Sequence, residues 1–302
     1  MPVNQLELCW GTVERASLIE LLGAADRAGY GSVTVTPRSY LQLSGRDTRS
    51  VRSFLADRPL RVHVVDAILG GLPGSPRAEQ VEPRFRPLFE YSSAQCFDVA
   101  GHLNAAAVNV AHFLGAAVGL DALSDAVAGL AAEARSRGVL ITVECIPGTG
   151  IPSLSAAHRI AAAAGSDVVS VMLDTWHHAR SGGGVGDIRQ LPPGAIGGLQ
   201  LSDRRAPPPG TPYRAMEDRL LPGRGELPLA ELLSAALGNS PDVPVGVEVF
   251  SSELRAMSFD DAAAAGNEAL QDVLAGARPG DRATRVATGG NQPWDASHRP
   301  KA

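Results

Sequence analysis

Four short stretches of the sequence each end an apolar run with side chains that can bind a metal ion. In chain order, the stretches are VLITVE, VVSVMLDTWHH, IGGLQLSD and VPVGVEVF. Their candidate ligands are Glu144, Asp174, His177, Gln200, Asp203 and Glu248. A lone buried carboxylate is costly, whereas several carboxylates around one cation offset one another's charge. Because the same pattern occurs at the same end of four separate stretches, we predict one shared metal site.

The four stretches have the composition of strands that are buried on both faces, since they are apolar and rich in β-branched residues. Eight such strands alternate with helical segments over residues 1–277, which predicts a parallel sheet with helical crossovers. An open doubly wound sheet also fits, but eight units at ~30-residue spacing favour a single (β/α)₈ TIM barrel. The candidate ligands then lie at the C-terminal ends of the strands, where such barrels carry their catalytic groups. We expect residues 278–302, rich in Gly, Arg, Asn, Pro and Ser, to form a disordered tail.

Composition argues against several classes of protein. The chain has 302 residues, a net charge of −5 and a single lysine, Lys301. Schiff-base aldolases, pyridoxal enzymes and P-loop ATPases all need a lysine in the active site. The acidic balance argues against nucleic acid as a partner, and no apolar run is long enough to cross a membrane. With three widely spaced cysteines and no signal-peptide pattern, we expect a cytoplasmic protein whose partner is a small-molecule substrate.

Five segments in order resemble the xylose isomerase-like TIM-barrel superfamily, also called the sugar phosphate isomerase/epimerase or AP endonuclease family 2 group. The segments are VECIPG, LDTWHH, LQLSD, RLLPGRGELPL and GVEVFSSEL. The resemblance implies one divalent cation, held by Glu144, Asp174, Gln200 and Glu248 from strands five to eight. All four ligands are oxygen donors, which favours Mn²⁺ or Mg²⁺ over Zn²⁺. Members of the superfamily are often dimers or tetramers, so a homodimer or homotetramer is expected.

The resemblance also implies roles for residues around the metal. The candidate catalytic residues are His177, Glu144, Glu248 and Arg219. Asp203 matches a position that orients a ligand or a substrate hydroxyl. Arg224 departs from the acidic residue that is usual in the PGxG segment of the superfamily.

Three further residues are candidate substrate contacts because of where they fall in the predicted barrel. His112 lies at the exit of strand four and Asp66 lies near the end of strand three, while Trp176 follows strand six. Rim packing is the alternative for His112 and Trp176. Several arginines after strand seven, namely Arg204, Arg205, Arg214 and Arg219, would suit a carboxylated substrate.

The predicted site supports enolisation of a substrate carbonyl. A bound cation acidifies the neighbouring C–H bond, and a carboxylate or histidine moves the proton. Depending on where the proton returns, the product is an epimer or an isomer, and loss of a β-hydroxyl gives dehydration. We predict an isomerase or epimerase of a small polyhydroxylated or oxo substrate. Because Gln200 replaces the commoner histidine, the pattern also resembles 3-dehydroshikimate dehydratases, so a dehydratase (lyase) is the alternative. An AP endonuclease relative and a non-catalytic binding barrel are more distant alternatives.

Overall fold

Eight parallel strands close into a barrel in the computed structural model, which describes residues 6–206 and 210–277. The strands are β1 (Leu6–Leu8), β2 (Ser32–Val35), β3 (Arg61–Ile68), β4 (Ala107–Ala111), β5 (Leu140–Glu144), β6 (Val169–Asp174), β7 (Ile196–Leu201) and β8 (Val245–Val247). Each strand pairs with the next, and β1 closes the barrel by pairing with β8. The predicted (β/α)₈ TIM barrel is therefore confirmed. The predicted tail at 278–302 lies outside the described residues.

Helices follow the strands around the outside of the barrel. They are α1 (Leu18–Arg27), α2 (Pro37–Leu41), α3 (Gly45–Ala56), α4 (Ser93–Leu103), α5 (Leu120–Arg137), α6 (Leu154–Ala164), α7 (Thr175–Arg180), α8 (Val185–Arg189), α9 (Leu229–Asn239), α10 (Ser252–Ala256) and α11 (Phe259–Ala277). At the start of α1, a capping box joins Ser17 and Glu20 in both directions. Among the described residues, no helix is both long and apolar enough to cross a membrane.

Alternation along the strands separates the apolar core from a polar barrel interior. On β5, Ile141 and Val143 join the main hydrophobic core beneath the helices. The intervening Thr142 and the terminal Glu144 instead hydrogen-bond to Asn109 of the neighbouring β4. Since successive side chains on a strand point to opposite faces, one face stabilises the barrel and the other is free to carry chemistry.

The strand register brings the predicted ligands to one end of the barrel. Glu144 and Asp174 are the last residues of β5 and β6, and Asp174 pairs with Gln200 of β7. Glu248 directly follows β8, and its N–H still donates to the Leu201 carbonyl of β7 at 3.0 Å. The backbone ladder, rather than loop conformation, therefore positions all four side chains.

Candidate metal centre

Three buried side chains converge at the C-terminal ends of β5 and β6. Glu144, Asp174 and His177 offer ligand atoms that all lie within 4.8 Å of one another. His177 Nε2 is 3.3 Å from Glu144 Oε1 and 3.6 Å from Asp174 Oδ2. Asp174 caps α7 through Oδ1, which accepts from the N–H groups of Trp176 and His177 at 2.7 and 3.1 Å. The cap fixes the spacing of Asp174 and His177 and leaves Oδ2 facing the cluster.

Gln200 and Glu248 extend this cluster around the barrel with side-chain atoms that have no protein partner. Both side chains are buried. Among the described residues, neither amide atom of Gln200 makes a hydrogen bond, and neither does Glu248 Oε1. Leaving a buried polar atom unsatisfied costs about 1–3 kcal/mol, so such atoms in a native protein need an explanation. Two unpartnered oxygens beside a Glu/Asp/His cluster fit a divalent cation.

Arg219, from the connection between β7 and α9, reaches into the same cluster. Its Nη1 donates to Asp174 Oδ2 at 2.7 Å and lies 3.4 Å from Glu248 Oε2. Its Nη2 donates to the Ala215 carbonyl at 2.8 Å, and the guanidinium carbon lies 5.0 Å from the centre of the Phe250 ring. A fully buried arginine is stable only with such partners, so Arg219 is the counterion of the carboxylates.

Burial and mutual repulsion perturb the protonation of the cluster. Burial, together with the charges of Asp66 and Asp174, raises the pKa of Glu144 well above its usual value. Burial also raises the pKa of Glu248 well above its usual value, even though Arg219 opposes the shift. For Asp174, burial alone would raise the pKa, but Arg219 and His177 bring it below the usual value. The cluster thus resists full ionisation on its own.

His177 is a neutral imidazole at physiological pH. Burial, with the nearby Arg219 guanidinium, lowers the pKa of His177 to about 4, although Asp174 opposes the shift. The contact between His177 and Glu144 is therefore not an ion pair. The other ring nitrogen, Nδ1, contacts the hydroxyl of Tyr213. A neutral ring held at both nitrogens is suited to bind a metal or to exchange a proton.

Asp66 is tied to the cluster through Asn109. The Asn109 amide donates to Asp66 Oδ1 and to Glu144 Oε2, both at 2.8 Å, and its oxygen accepts from Thr142 at 2.9 Å. Asp66 Oδ2 accepts from the indole of Trp10 at 2.8 Å. Neither Asn109 nor Tyr213 was among the predicted site residues. The signal for Asn109 was a single amide inside the apolar strand AVNVA.

A cavity opens onto the cluster. Its polar lining includes Asp66, Glu144, His177, Arg219 and Glu248. The rest of its wall is largely apolar, with contributions from Trp10, Leu69, Phe113, Ile146 and Phe250. A larger outer groove adjoins it and shares Trp10 and Phe113. Polar groups that converge at the end of an apolar cavity are typical of a small-molecule site.

Three residues that we predicted to contact or orient the substrate make their contacts with the protein itself, and none lines the inner cavity. His112 Nε2 lies 2.8 Å from the Pro73 carbonyl, and its Nδ1 accepts from Gly150 N–H at 2.9 Å. Trp176 donates to the Arg214 carbonyl at 3.3 Å. The Asp203 carboxylate accepts from four backbone N–H groups, those of Arg204, Gly223, Gly225 and Leu227. Their roles toward substrate stay predictions, while the structure gives each a role in holding the barrel rim.

Comparison with known proteins agrees with this fold. A family model described as xylose isomerase-like TIM barrel matches residues 22–274. The inosose isomerase of Halalkalibacterium halodurans is 27% identical over 143 residues, which are 47% of this chain and 50% of that enzyme, so the match spans half the length of the relative.

Solved structures show the same barrel. The IOLI protein, solved with a bound zinc atom, has a TM-score of 0.75 at 18% identity, over 91% of this chain and 99% of its own. The probable 3-DHS dehydratase AsbF from Bacillus anthracis has a TM-score of 0.66 at 13% identity, over 88% of this chain and 98% of its own. Identities this low establish similarity of fold alone.

Proposed function

The chain belongs to the xylose isomerase-like TIM barrel family, and from this premise we propose that it is a divalent-metal-dependent isomerase or epimerase. Its substrate would be a small polyhydroxylated or oxo compound that the enzyme enolises. The observation that carries the proposal is the buried Glu144–Asp174–His177 cluster beside the unpartnered oxygens of Gln200 and Glu248. Partial similarity to an inosose isomerase supports the reaction class.

The residues that would hold the metal are Glu144, Asp174, Gln200 and Glu248. Their four oxygen donors favour Mn²⁺ or Mg²⁺. His177 lies within reach of the same position and could add a nitrogen ligand. When bound, the cation would polarise a substrate carbonyl and so make the neighbouring C–H bond more acidic.

The protein's own groups would move the proton. A general base works best when its pKa lies near the operating pH, and burial shifts Glu144 and Glu248 in that direction. His177 Nε2 lies 3.3 Å from Glu144 Oε1, so a proton can pass between them. Arg219 keeps its positive charge, because Asp174 and Glu248 raise its pKa against the effect of burial. Its guanidinium would stabilise negative charge that develops on a substrate oxygen.

Dehydration is the second candidate, because an enolate that carries a β-hydroxyl group can expel that hydroxyl as water. Gln200 favours this alternative, since glutamine at this position on strand seven resembles 3-dehydroshikimate dehydratases. Both reactions begin with abstraction of the same kind of proton. The two candidates differ in the product: isomerisation keeps the composition of the substrate, whereas dehydration removes one water and creates a conjugated chromophore.

Metal content of the purified protein tests the proposal. We expect one equivalent of Mn²⁺ in wild type after reloading, and loss of that metal in the double variant Glu144→Gln, Glu248→Gln. A matched control is Glu231→Gln with Glu253→Gln, which removes the same charge from exposed helix ends. Elemental analysis after gel filtration measures all three proteins. A wild type that cannot be loaded with Mn²⁺ or Mg²⁺ would refute the metal centre.

Deuterium exchange then tests the chemistry. Candidate polyhydroxylated ketones are incubated with loaded enzyme in D₂O and followed by proton NMR. We expect exchange at the carbon next to the carbonyl with wild type and none with the double variant. Mass analysis of the product then decides between isomerisation and dehydration.

A further inference from the structure

Six arginines line the inner cavity or the outer groove, and five of them are already bound to protein acceptors. The six are Arg15, Arg38, Arg84, Arg214, Arg219 and Arg255. Arg84 and Arg214 both pair with Glu217, at 2.9 and 2.6 Å. Arg255 pairs with Glu14 at 3.0 Å, Arg15 donates to the Arg255 carbonyl, and Arg219 pairs with Asp174. Within residues 6–206 and 210–277, the guanidinium of Arg38 makes no hydrogen bond or ion pair.

Arg38 is held at the junction of the two spaces. It lies on α2 and lines both the inner cavity and the outer groove, with its side chain half-buried. Thr36 caps α2 by accepting from Ser39 N–H at 3.2 Å. Tyr40 is buried and stacks on His102 of α4, with ring centres 5.6 Å apart. The backbone that carries Arg38 is therefore anchored on both sides of it.

The inner cavity has a second polar lining group that makes no hydrogen bond among the described residues. Tyr91 lines that cavity, and its hydroxyl makes no hydrogen bond within the described part of the chain. Arg38 and Tyr91 both line this cavity; burial raises the pKa of Tyr91, and the positive charge of Arg38 partly opposes that shift. A guanidinium and a phenol thus offer donors at the mouth of a largely apolar cavity.

We propose that Arg38 binds an anionic oxygen group of the substrate, a carboxylate or a phosphate, at the mouth of the cavity. The inference rests on the proposed function for the centre itself. The planar guanidinium matches the paired oxygens of either group. Asp66, Glu144 and Glu248 line the same cavity. Because the carboxylates already hold Arg219 and would also hold the cation, the anionic group faces the free guanidinium of Arg38 while the uncharged carbonyl end faces the centre.

This assignment replaces the arginines that the sequence analysis favoured for a carboxylated substrate. Arg214 is bound to Glu217, and Arg204 and Arg205 line neither space. Arg219 is committed to Asp174 inside the cluster. Arg38 lies on α2, directly after β2. Its guanidinium has the free donors that such a substrate needs.

Calorimetric binding to Mn²⁺-loaded protein tests the proposal with three probes: quinate, glucose 6-phosphate and the uncharged myo-inositol. We expect wild type to bind at least one anion more tightly than myo-inositol. Arg38→Gln should weaken the affinity for that anion on the order of 10- to 100-fold. The affinity for myo-inositol should stay within about twofold of wild type, as expected for loss of a charged hydrogen bond alone. Arg38→Lys, which keeps the charge but not the paired donors, should lie between. Arg84→Gln is the matched control, because Arg84 lines the groove but is already ion-paired.

The outcomes separate this inference from the proposed function. Loss of quinate binding identifies a carboxylate, and loss of glucose 6-phosphate binding identifies a phosphate. The inference is overturned if wild type binds neither anion more tightly than myo-inositol. It is also overturned if Arg38→Gln weakens the affinity for myo-inositol as much as the affinity for the anion. Metal content of each variant is measured in parallel. Anion preference that depends on Arg38 in a protein that cannot retain Mn²⁺ would refute the metal centre and leave the Arg38 site standing.

Discussion

Replacing Arg219 with methionine tests how the carboxylate cluster is held together without metal. Arg219 is 2% exposed and Asp174 is 0% exposed, and Nη1 and Oδ2 lie 2.7 Å apart. Removing one partner of a buried ion pair costs about 3–5 kcal/mol, because the remaining charge stays buried without compensation. Coulomb's law agrees, since unit charges ~4 Å apart at an effective dielectric constant of about 20 attract by about 4 kcal/mol. We expect the free energy of unfolding of metal-free Arg219→Met to fall by about that amount.

The same variant should bind metal more tightly. Arg219 Nη1 already donates to Asp174 Oδ2, and its positive charge would oppose a cation bound to the same carboxylate. We expect a lower dissociation constant for Mn²⁺ in Arg219→Met. Metal at about 100 times that constant then returns about 2.7 kcal/mol of stability. Urea unfolding with EDTA and with saturating Mn²⁺ measures the stabilities, and calorimetry measures the affinity.

Arg214→Met is the control, because Arg214 lies on the same loop and pairs with Glu217 at 2.6 Å but is exposed. Water screens such a surface pair, so we expect no resolvable change in stability or metal affinity. A metal-free Arg219→Met that is as stable as wild type would refute the role of Arg219 as counterion. A destabilised variant with weaker metal binding would show instead that Arg219 supports the ligand geometry.

Three further predictions concern protonation and the rim. Metal affinity should rise with pH, because Glu144 and Glu248 have raised pKa values and must lose protons before binding; calorimetry across pH 5–8 should show a weaker rise for Glu144→Gln. In metal-free protein the protonated Glu144 and Glu248 side chains contribute stability at low pH. That contribution is lost as the pH rises above the ordinary glutamate pKa of 4.5 and passes through the raised pKa of the folded state. The melting temperature of Glu144→Gln should therefore depend less on pH than that of wild type. Asp203→Ala should expose the loop over 210–226 to limited proteolysis, because four backbone N–H groups lose their acceptor. The control Asp187→Ala, which removes a single exposed helix-end acceptor, should not change cleavage of that loop.

The positions of the main-chain elements could be predicted because strand periodicity is local information. The apolar runs that end at Glu144 and Asp174 are each one strand, and parallel strands in a barrel must present the same end to one face. Gln200 follows from the same argument, since its register opposite Asp174 needs no loop conformation. The ligand positions were therefore accessible from sequence, although their roles stay predictions.

Side-chain partners across long loops were not accessible in the same way. Arg219 meets Asp174 only because the connection after β7 folds back over the barrel mouth, and Asp203 is the acceptor that organises this fold. The sequence identified His112 only as a candidate substrate contact, because the backbone groups of Pro73 and Gly150 that bind its ring lie 38 or more residues away along the chain. Local pattern identifies residues that can do chemistry, but long-range contacts decide which of them are free to do it.

Charge balance connects the two ends of the cavity. Asp66, Glu144, Asp174 and Glu248 are four buried carboxylates, His177 is neutral, and Arg219 contributes one positive charge. Protons on Glu144 and Glu248 or a divalent cation can each relieve this excess, so the two compete for the same oxygens. With all four carboxylates ionised, Arg219 and a bound divalent cation would leave the cluster with a net negative charge, whereas Arg38 offers an anionic substrate a positive charge that no protein carboxylate in the described part of the chain holds. The proposed orientation therefore places the substrate carbonyl and its reactive carbon at the centre, beside the candidate bases Glu144 and Glu248, and the anionic group at the mouth beside Arg38.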